Sequence, residues 1–226
     1  MEAVLINTAG GLTGGDVMDW HVDCAPASRL VLTTQACERI YRSLGAPARV
    51  TTTIRAGEAS HVDWLPQETI LFAGSKLDRR IEIDLAQGAT LTAVEAVLLG
   101  RDAMGELALD AELSDTWRIR RCGRLVHAES TRLGGTALER HAPGLLAGHR
   151  AMATILHLAG DEETATARRE TVRSLQPEGA AIAASAVGER LVIRALAESG
   201  LALRRMIVPI LEQLSGAATL PRLWHL

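Results

Sequence analysis

Four glutamates and one histidine are the side chains of this 226-residue sequence whose surroundings favour chemistry. Glu68, Glu95, Glu106 and Glu129 each stand among apolar residues, and His127 lies two residues before Glu129. Alternate residues of a β-strand share a face, so this last pair would present an imidazole and a carboxylate together. Unpaired carboxylates are costly in a dry interior, and carboxylate oxygens and imidazole nitrogens bind divalent metals. Several such acids along one channel would relay a divalent cation, whereas an arginine partner or contact with solvent is the simpler role for any single one.

The spacing of nucleophiles and bases does not indicate catalysis. Neither the Gly-x-Ser-x-Gly turn of hydrolases nor the His-Glu-x-x-His motif of zinc proteases occurs. The seven histidines are spread over different predicted strands and loops. Because no nucleophile, base and orienting group stand at suggestive spacing, the sequence favours a protein that binds partners.

Composition favours a folded chain with a core of small aliphatic side chains. Hydrophobic residues make up 47% and charged residues 23% of the sequence, which excludes a disordered chain. Aromatic residues are only 3%, so Leu, Val, Ile and Ala must fill the interior. The net charge of −3 and the pI of about 6.2 provide no basic surface for nucleic acid, which we do not expect as a partner.

Cysteine usage and hydropathy predict a cytoplasmic protein. Cys24, Cys37 and Cys122 are an odd number at wide spacing without a Cys-x-x-Cys pair, which argues against a disulfide framework and a cysteine zinc site. The start of the chain has no basic leader, and no window reaches the roughly 18 apolar residues of a membrane span. We therefore expect neither secretion nor a membrane partner.

A glycine-rich run at residues 7–16 is the most distinctive local pattern. Its sequence is Asn-Thr-Ala-Gly-Gly-Leu-Thr-Gly-Gly-Asp, with Gly10, Gly11, Gly14 and Gly15 in two pairs. A P-loop requires a lysine that this run lacks, and the dinucleotide motif Gly-x-Gly-x-x-Gly is absent. The residues that follow alternate like a strand. The run therefore predicts a sharply bent strand-to-strand turn, because glycine adopts positive φ at little cost.

Short strands fill the chain from residue 3 to about 135. They are rich in β-branched or aromatic residues and cover 4–6, 20–22, 30–33, 50–54, 70–72, 81–85 and 90–98. The last of these is apolar on both faces and is interpreted as a buried strand, with Glu95 inside it. Residues 117–121 and 125–131 flank a short glycine-containing loop and predict a hairpin.

Two helices and further strands are predicted after residue 143. The strands cover residues 153–158, 180–187 and 190–196. Asp161 and the two acids after it are typical of a helix start and predict a helix over 164–175. Apolar residues at helical spacing predict a second helix over 201–214, in which Pro209 marks a kink or a restart. The whole pattern indicates a mostly-β protein and leaves sandwich, barrel and solenoid open.

Longer motifs follow one another in order along nearly the whole chain. They are the glycine-rich run at 7–16, Thr-Thr-Gln-Ala at 33–36, Tyr-Arg-Ser at 41–43, Trp-Leu-Pro-Gln-Glu-Thr-Ile-Leu-Phe at 64–72, Leu-Gly-Arg-Asp-Ala-Met-Gly-Glu at 99–106, Trp-Arg-Ile-Arg at 117–120 and Leu-Pro-Arg-Leu-Trp at 220–224. Together they resemble the urease accessory protein UreD (UreH) family, and the chain is identified as a member of it.

The resemblance implies a fold. We expect an elongated β-helical, solenoid-like stack of short strands with about two α-helices in the C-terminal third, forming a single UreD-like domain over residues 1–226. Members of the family carry several tens of residues before the glycine-rich run. The opening strands are therefore expected to be missing from this chain.

The resemblance also implies a function. Family members are scaffolds that bind apo-urease and UreF, which recruits the GTPase UreG, and the assembly inserts nickel into the urease active site. An internal tunnel is the implied ion path, so the chain is expected to be no enzyme, to hold no permanent cofactor and to carry nickel only in transit. The path residues under this interpretation are Glu68, Glu95, Glu106, Glu129 and His127.

The family motifs also assign signature positions, some of them structural. These are Gly10, Gly11, Gly14, Gly15, Thr33, Thr34, Gln35, Tyr41, Pro66, Gln67, Arg101, Met104 and Gly105. Because Arg101 and Glu106 share a short motif, they are expected to form an ion pair that fixes a turn.

Two alternatives stay open. Trp224 and Arg222 are candidates for partner binding, since an exposed tryptophan beside an arginine is typical of an interface anchor, but Trp224 would equally well fold back and cap the core. The competing function is a β-helical hydrolase or isomerase with Glu68 or Glu106 as general acid or base. A raised carboxylate pKa in an open cleft would favour that function.

Overall fold

A computed structural model of the chain describes residues 1–108, 110–134, 141–177, 180–217 and 219–225. The described backbone is mostly strand, with two α-helices in the last third, and winds as a β-solenoid of about three turns. The mostly-β, solenoid-like prediction is confirmed, and the sandwich and the barrel are excluded.

Two parallel sheets form the walls of the solenoid. The first contains β1 (Glu2–Leu5), β3 (Arg29–Thr34), β6 (His61–Leu65) and β9 (Thr90–Leu99), with the short strands β4 (Glu38–Ile40) and β7 (Thr69–Leu71) beside them. The second contains β2 (Val17–Cys24), β5 (Ala48–Ala56), β8 (Lys76–Leu85) and β10 (Glu112–Arg121). Successive strands of each sheet come from successive turns of the chain, which stack by parallel hydrogen bonding.

The strand register fixes how much chain each turn uses. Aligned partners in the first sheet are Glu2, Val31, Asp63 and Thr92, and those in the second are Asp19, Thr51, Arg80 and Thr116. Successive turns therefore add 29, 32 and 29 residues in the first sheet and 32, 29 and 36 residues in the second. Residues about thirty apart along the chain lie side by side in the fold.

Antiparallel strands extend both sheets at the C-terminal end of the stack. β11 (Arg124–Leu133) pairs with β10, which confirms the predicted hairpin. β12 (Ala151–Leu158) pairs with β9, and β14 (Arg190–Ala197) then pairs with β12 and with β13 (Ile182–Val187). The strands predicted in this part of the chain are confirmed.

Two helices cover the outer face of the first sheet. α1 (Glu162–Ser174) begins at the N-cap Asp161, whose carboxylate accepts a hydrogen bond from the Thr164 backbone at 2.7 Å. α2 (Gly200–Leu214) buries the apolar face that its spacing predicts and continues through Pro209 as one helix, so the restart, one of the two effects predicted for Pro209, is not found. No helix within the described ranges combines the length and hydropathy needed to cross a membrane.

Three apolar clusters make up the core formed by the described residues. Two lie between the sheets: one includes Ile83 and Trp117, and the other includes Leu71. The third lies between the first sheet and the helices and includes Ile207 and Trp224. The two interior clusters do not merge, and polar residues occupy the layer between them.

Candidate functional site

Three of the cavities bounded by described residues follow one another along the interior of the solenoid. The first cavity, of about 200 Å³, lies beside the glycine-rich run and is lined by Asn7, Gly10 and Gly11 among others. The central cavity, of about 40 Å³, shares with it Met18, Trp20, Thr34 and Glu38. The third cavity, of about 340 Å³, shares Arg79 and Glu95 with the central cavity and reaches β11, β12 and β14. Neighbouring cavities are thus separated by only a few shared side chains.

A buried ion cluster forms the wall between the central and third cavities. Nε and Nη2 of Arg79 donate to the Asp115 carboxylate at 3.1 and 2.7 Å. Nη1 of Arg79 donates to Glu95 and, at 3.1 Å, to the hydroxyl of Thr69. The indole N–H of Trp64 donates to the other Glu95 oxygen at 2.9 Å. The arginine and both carboxylates are at most 6% exposed, so this cluster is largely shielded from bulk solvent.

Strand register brings the ion cluster together. Arg79 on β8 and Asp115 on β10 are aligned neighbours in the second sheet, and Glu95 on β9 faces them from the first sheet. Each stands in an alternating row of apolar side chains that point into the solenoid: Leu77 and Ile81 flank Arg79, Leu113 and Trp117 flank Asp115, and Ala93 and Val97 flank Glu95. The cluster therefore fills the polar layer between the two interior apolar clusters.

The charges of this cluster depend on one another. Burial raises the pKa of Glu95 above its ordinary value, and the Arg79 guanidinium opposes that shift. Burial would lower the pKa of Arg79, but Asp115 and Glu95 outweigh it and the pKa is raised. Removing Arg79 would leave two carboxylates without a counter-ion in the interior, which is strongly unfavourable.

Polar side chains from two turns surround the first cavity. Nδ2 of Asn7 donates to both oxygens of Glu38 at 3.0 and 3.1 Å, and burial raises the pKa of Glu38. Sγ of Cys37 donates to Glu68 at 3.4 Å, and burial raises the pKa of Cys37 to about 11. Since the thiol stays protonated at neutral pH, Cys37 is a poor metal ligand in this state. Glu38 is the carboxylate that the first and central cavities share.

All four predicted acids have arginine partners. The pairs are Glu68 with Arg204, Glu95 with Arg79, Glu106 with Arg101 and Glu129 with Arg194. Glu95 lines the central and third cavities, whereas Glu106 lies at a corner of the solenoid and Glu129 on the edge strand β11. The structure thus shows the simpler alternative, an arginine partner, for each acid, and it does not bring the four into one channel. Their part in a nickel path stays a prediction.

His127 and Glu129 lie near each other on β11, as their spacing predicts. Nε2 of His127 is 3.9 Å from Glu129, too far for a hydrogen bond, and the ring packs edge-on against Trp117. Burial lowers the pKa of His127, which favours a neutral imidazole. No group of three or more His, Cys, Asp or Glu side chains in the described parts of the chain is arranged to hold a metal ion.

The corner between the two sheets stacks several signature motifs. The ring of Tyr41 packs edge-on against Phe72 at 5.1 Å, and the guanidinium of Arg101 lies 4.5 Å from the Phe72 ring. Arg101 donates to both oxygens of Glu106 at 2.8 and 3.2 Å, which confirms the predicted ion pair. Glu106 also accepts from the backbone of Ala73 at 3.2 Å, so the pair ties one solenoid turn to the next. These hydrogen bonds, first that of Arg101, lower the pKa of Glu106, the opposite of what a general acid requires.

Charge reversal tests this pair. Arg101→Glu and Glu106→Arg should each lower the unfolding midpoint, because each places like charges within hydrogen-bonding distance. The double variant should recover part of the loss, and the remainder should reflect the Ala73 hydrogen bond that arginine cannot accept. Thermal unfolding of the three variants measures this. A double variant no more stable than the worse single one would show that the pair does not fix the turn.

The glycine-rich run is the tight connection between β1 and β2 that its sequence predicts. Gly11 has φ of 138°, and a side-chain carbon there would lie 2.5 Å from the ring of Tyr41. A side-chain carbon at Gly14 would lie 2.7 Å from the carbonyl oxygen of Ala46. The run therefore needs glycine because the next turn of the chain packs directly against it.

The remaining signature positions divide between the cavities and the surface. Thr34, Pro66 and Gln67 line the central cavity, Gln35 lines the first cavity, Thr33 is fully buried, and Met104 and Gly105 are exposed. The hydroxyl of Thr34 accepts from the Gln67 backbone at 2.8 Å, which joins two signature motifs.

Trp224 is buried, so it does not offer its ring to a partner. It is 1% exposed, its indole N–H donates to the Leu65 carbonyl at 3.0 Å, and the Arg204 guanidinium lies 5.0 Å from its ring. The prediction of an exposed anchor is wrong for Trp224, and its alternative, a residue that folds back onto the core, is confirmed. Arg222 is exposed, and its contact with a partner stays a prediction.

Sequence reasoning missed three charged residues of the cavity walls: Glu38, Arg79 and Asp115. A signal was present for two of them. The period-2 alternation at 81–85 extends back through Leu77, which places Arg79 on the apolar face. Asp115 stands in the same way between Leu113 and Trp117. Glu38 had no such signal, because β4 is only three residues long.

The fold and these cavities define a class: β-solenoid proteins with a helical flank and an ion-paired interior. The family model described as UreD urease accessory protein matches residues 1–225. Proteins named urease accessory protein UreD are 60% identical in Chelativorans sp. (strain BNC1), 48% in Rhizobium rhizogenes (strain K84 / ATCC BAA-868) and 45% in Brucella suis (strain ATCC 23445 / NCTC 10510). The matches cover 99–100% of this chain and 80–82% of those proteins. The chain therefore belongs to the UreD urease accessory protein family, whose role is in urease maturation.

Proposed function

We propose that this chain is a non-enzymatic, cytoplasmic scaffold for urease maturation that also conducts nickel. In this proposal it binds apo-urease and UreF, UreF recruits the GTPase UreG, and nickel passes through the solenoid to the urease active site. Nickel is cargo in transit and not a resident cofactor.

The succession of cavities is the observation that supports a conduit. Cavities of about 200, 40 and 340 Å³ share wall residues in pairs, from the glycine-rich run to the far end of the second sheet. Small movements of the shared side chains would join them into one passage.

The chemistry of the walls suits a cation that does not stay. Carboxylates occur at both shared walls: Glu38 at one and Glu95 at the other, where Asp115 lies on the side of the third cavity. Each is already hydrogen-bonded or paired, so an arriving ion must compete for its oxygens. This competition weakens cation binding, and a relay requires weak binding so that the ion moves on.

A lysine in the central cavity tests the conduit. Thr52 is 1% exposed and lines this cavity, while Thr53 points to the other face of the same strand. Thr52→Lys should place a positive charge in the path, and repulsion in a low-dielectric interior should lower urease activation at least about tenfold. Activation is measured in a nickel-supplemented reconstitution with UreF, UreG and GTP.

Thr53→Lys is the matched control and should activate urease like the wild type. Co-purification with UreF and apo-urease must be retained in both variants for the comparison to hold. Thr52→Met fills the cavity without a charge and replaces Thr52→Lys if that variant does not assemble. A Thr52 variant that assembles and activates normally would rule out the central cavity as the nickel path.

A further inference from the structure

Arg79 lies where a cation leaving the central cavity would meet two carboxylates at once. Its guanidinium uses four donor contacts: two to Asp115, one to Glu95 and one to Thr69. All these groups are buried, so the arginine would lose these contacts if it moved out to solvent. It is held in place as the resident cation of the wall that separates the two cavities.

The two carboxylates of this wall, Glu95 and Asp115, can accommodate only one cation at a time. Two carboxylates are balanced by a divalent ion, or largely balanced by one guanidinium. Both cations together would leave an excess of positive charge in the interior, where repulsion is weakly screened. A divalent ion and Arg79 are therefore alternative counter-ions of Glu95 and Asp115.

The central cavity supplies a further polar group beside this wall. Gln67 is 6% exposed and lines the cavity together with Arg79 and Glu95. Its Oε1 accepts from Arg204, which directs the amide, and its Nε2 has no hydrogen-bond partner among the described residues. A buried donor without a protein partner is suited to bind a water molecule in this cavity, and that water would accept a hydrogen bond from the water shell of an ion.

We propose that Glu95 and Asp115 form a latent divalent-cation site and that Arg79 limits its occupancy, so that the ion is released and not stored. The identity of the ion as nickel rests on the proposed function. The site itself rests on the geometry of the three side chains and the two cavities. Arg79 is in this view a positioning residue that sets how long the ion stays.

Removing the guanidinium should expose the site. In Arg79→Gln the two carboxylates lose their counter-ion, and the full chain should retain at least about tenfold more Ni²⁺ at equal free concentration, because a buried unpaired charge recruits a partner. Equilibrium dialysis against NiCl₂ with metal analysis of the protein measures this. The triple variant Arg79→Gln, Glu95→Gln and Asp115→Asn should lose the gain, since it has the same shape without the carboxylates.

Arg121→Gln is a matched control, because it removes an arginine from a single carboxylate, Glu189, outside the cavities. It should retain no more nickel than the wild type. Equal nickel retention by wild type and Arg79→Gln would overturn the proposal, as would a triple variant that retains as much as Arg79→Gln. If Arg79→Gln does not fold, Arg79→Lys serves: its ammonium cannot bridge both carboxylates as the fork does, so a smaller gain is expected, and no gain overturns the proposal.

Urease activation separates this inference from the proposed function. A wild type that supports activation while Arg79→Gln gains no nickel would overturn the inference alone. A gain of nickel in Arg79→Gln together with a wild type that supports no activation would support the site and contradict the conduit.

Discussion

Replacing Trp224 by alanine is expected to lower the free energy of unfolding by about 3–5 kcal/mol, the range for large aromatic residues in cores. The ring belongs to the cluster beneath the helices, and its N–H satisfies the carbonyl of Leu65 on β6. Its loss leaves a cavity and an unpaired carbonyl and removes the face on which the Arg204 guanidinium lies. For a chain of this length the unfolding midpoint should fall on the order of 10 °C.

Arg222→Ala is the control for this prediction, since Arg222 is exposed two residues earlier and its loss should change stability by less than about 0.5 kcal/mol. The free energy of unfolding of Trp224→Phe should lie between those of the two alanine variants, because phenylalanine keeps an aromatic ring but not the N–H. Thermal and denaturant unfolding of the three variants give the order. Similar stabilities for Trp224→Ala and Arg222→Ala would mean that the short 3-10 helix Arg222–His225 does not hold the core together.

Much of the strand content was predictable because period-2 alternation and turn residues are local signals. The solenoid architecture was not predictable, because the spacing between stacked strands becomes visible only in the strand register. Turns of 29, 32 and 36 residues have no common period, and most stacked positions share only apolar character, so no motif repeats at a fixed spacing in the sequence. The family resemblance supplied the architecture that periodicity left open.

The candidate site shows the same division between local and distant information. Arg101 and Glu106 were predictable as a pair because they lie only five positions apart in the sequence. The partners of the other acids are far away in the sequence: Arg194 for Glu129, Arg204 for Glu68, and Arg79 for Glu95. An acid in an apolar strand therefore indicates that some partner exists, but only the fold shows which one.

The stability of the fold should also fall at mildly acidic pH, and His157 should account for about 3 kcal/mol of that loss. This side chain lies on β12, 6% exposed, where Nδ1 contacts the Thr92 hydroxyl at 3.1 Å. Burial, then the charge of Arg168 and the neighbouring His61, lower the pKa of His157 to about 4, although Asp63 opposes them. In the unfolded chain the pKa is about 6.5.

The sign of the pH effect follows from these two values. Between pH 6.5 and pH 4 the unfolded chain binds a proton that the folded chain does not, so acid favours unfolding across this window and the contribution of His157 is complete only above pH 6.5. His157→Gln keeps a polar contact for Thr92 but does not titrate. The free energy of unfolding, measured by urea at pH 7.5 and pH 4.5, should therefore fall by about 2–3 kcal/mol more in the wild type than in the variant. Equal losses would show that His157 is protonated as readily in the folded protein as in the unfolded chain, and that the contact between β12 and Thr92 tolerates the charge.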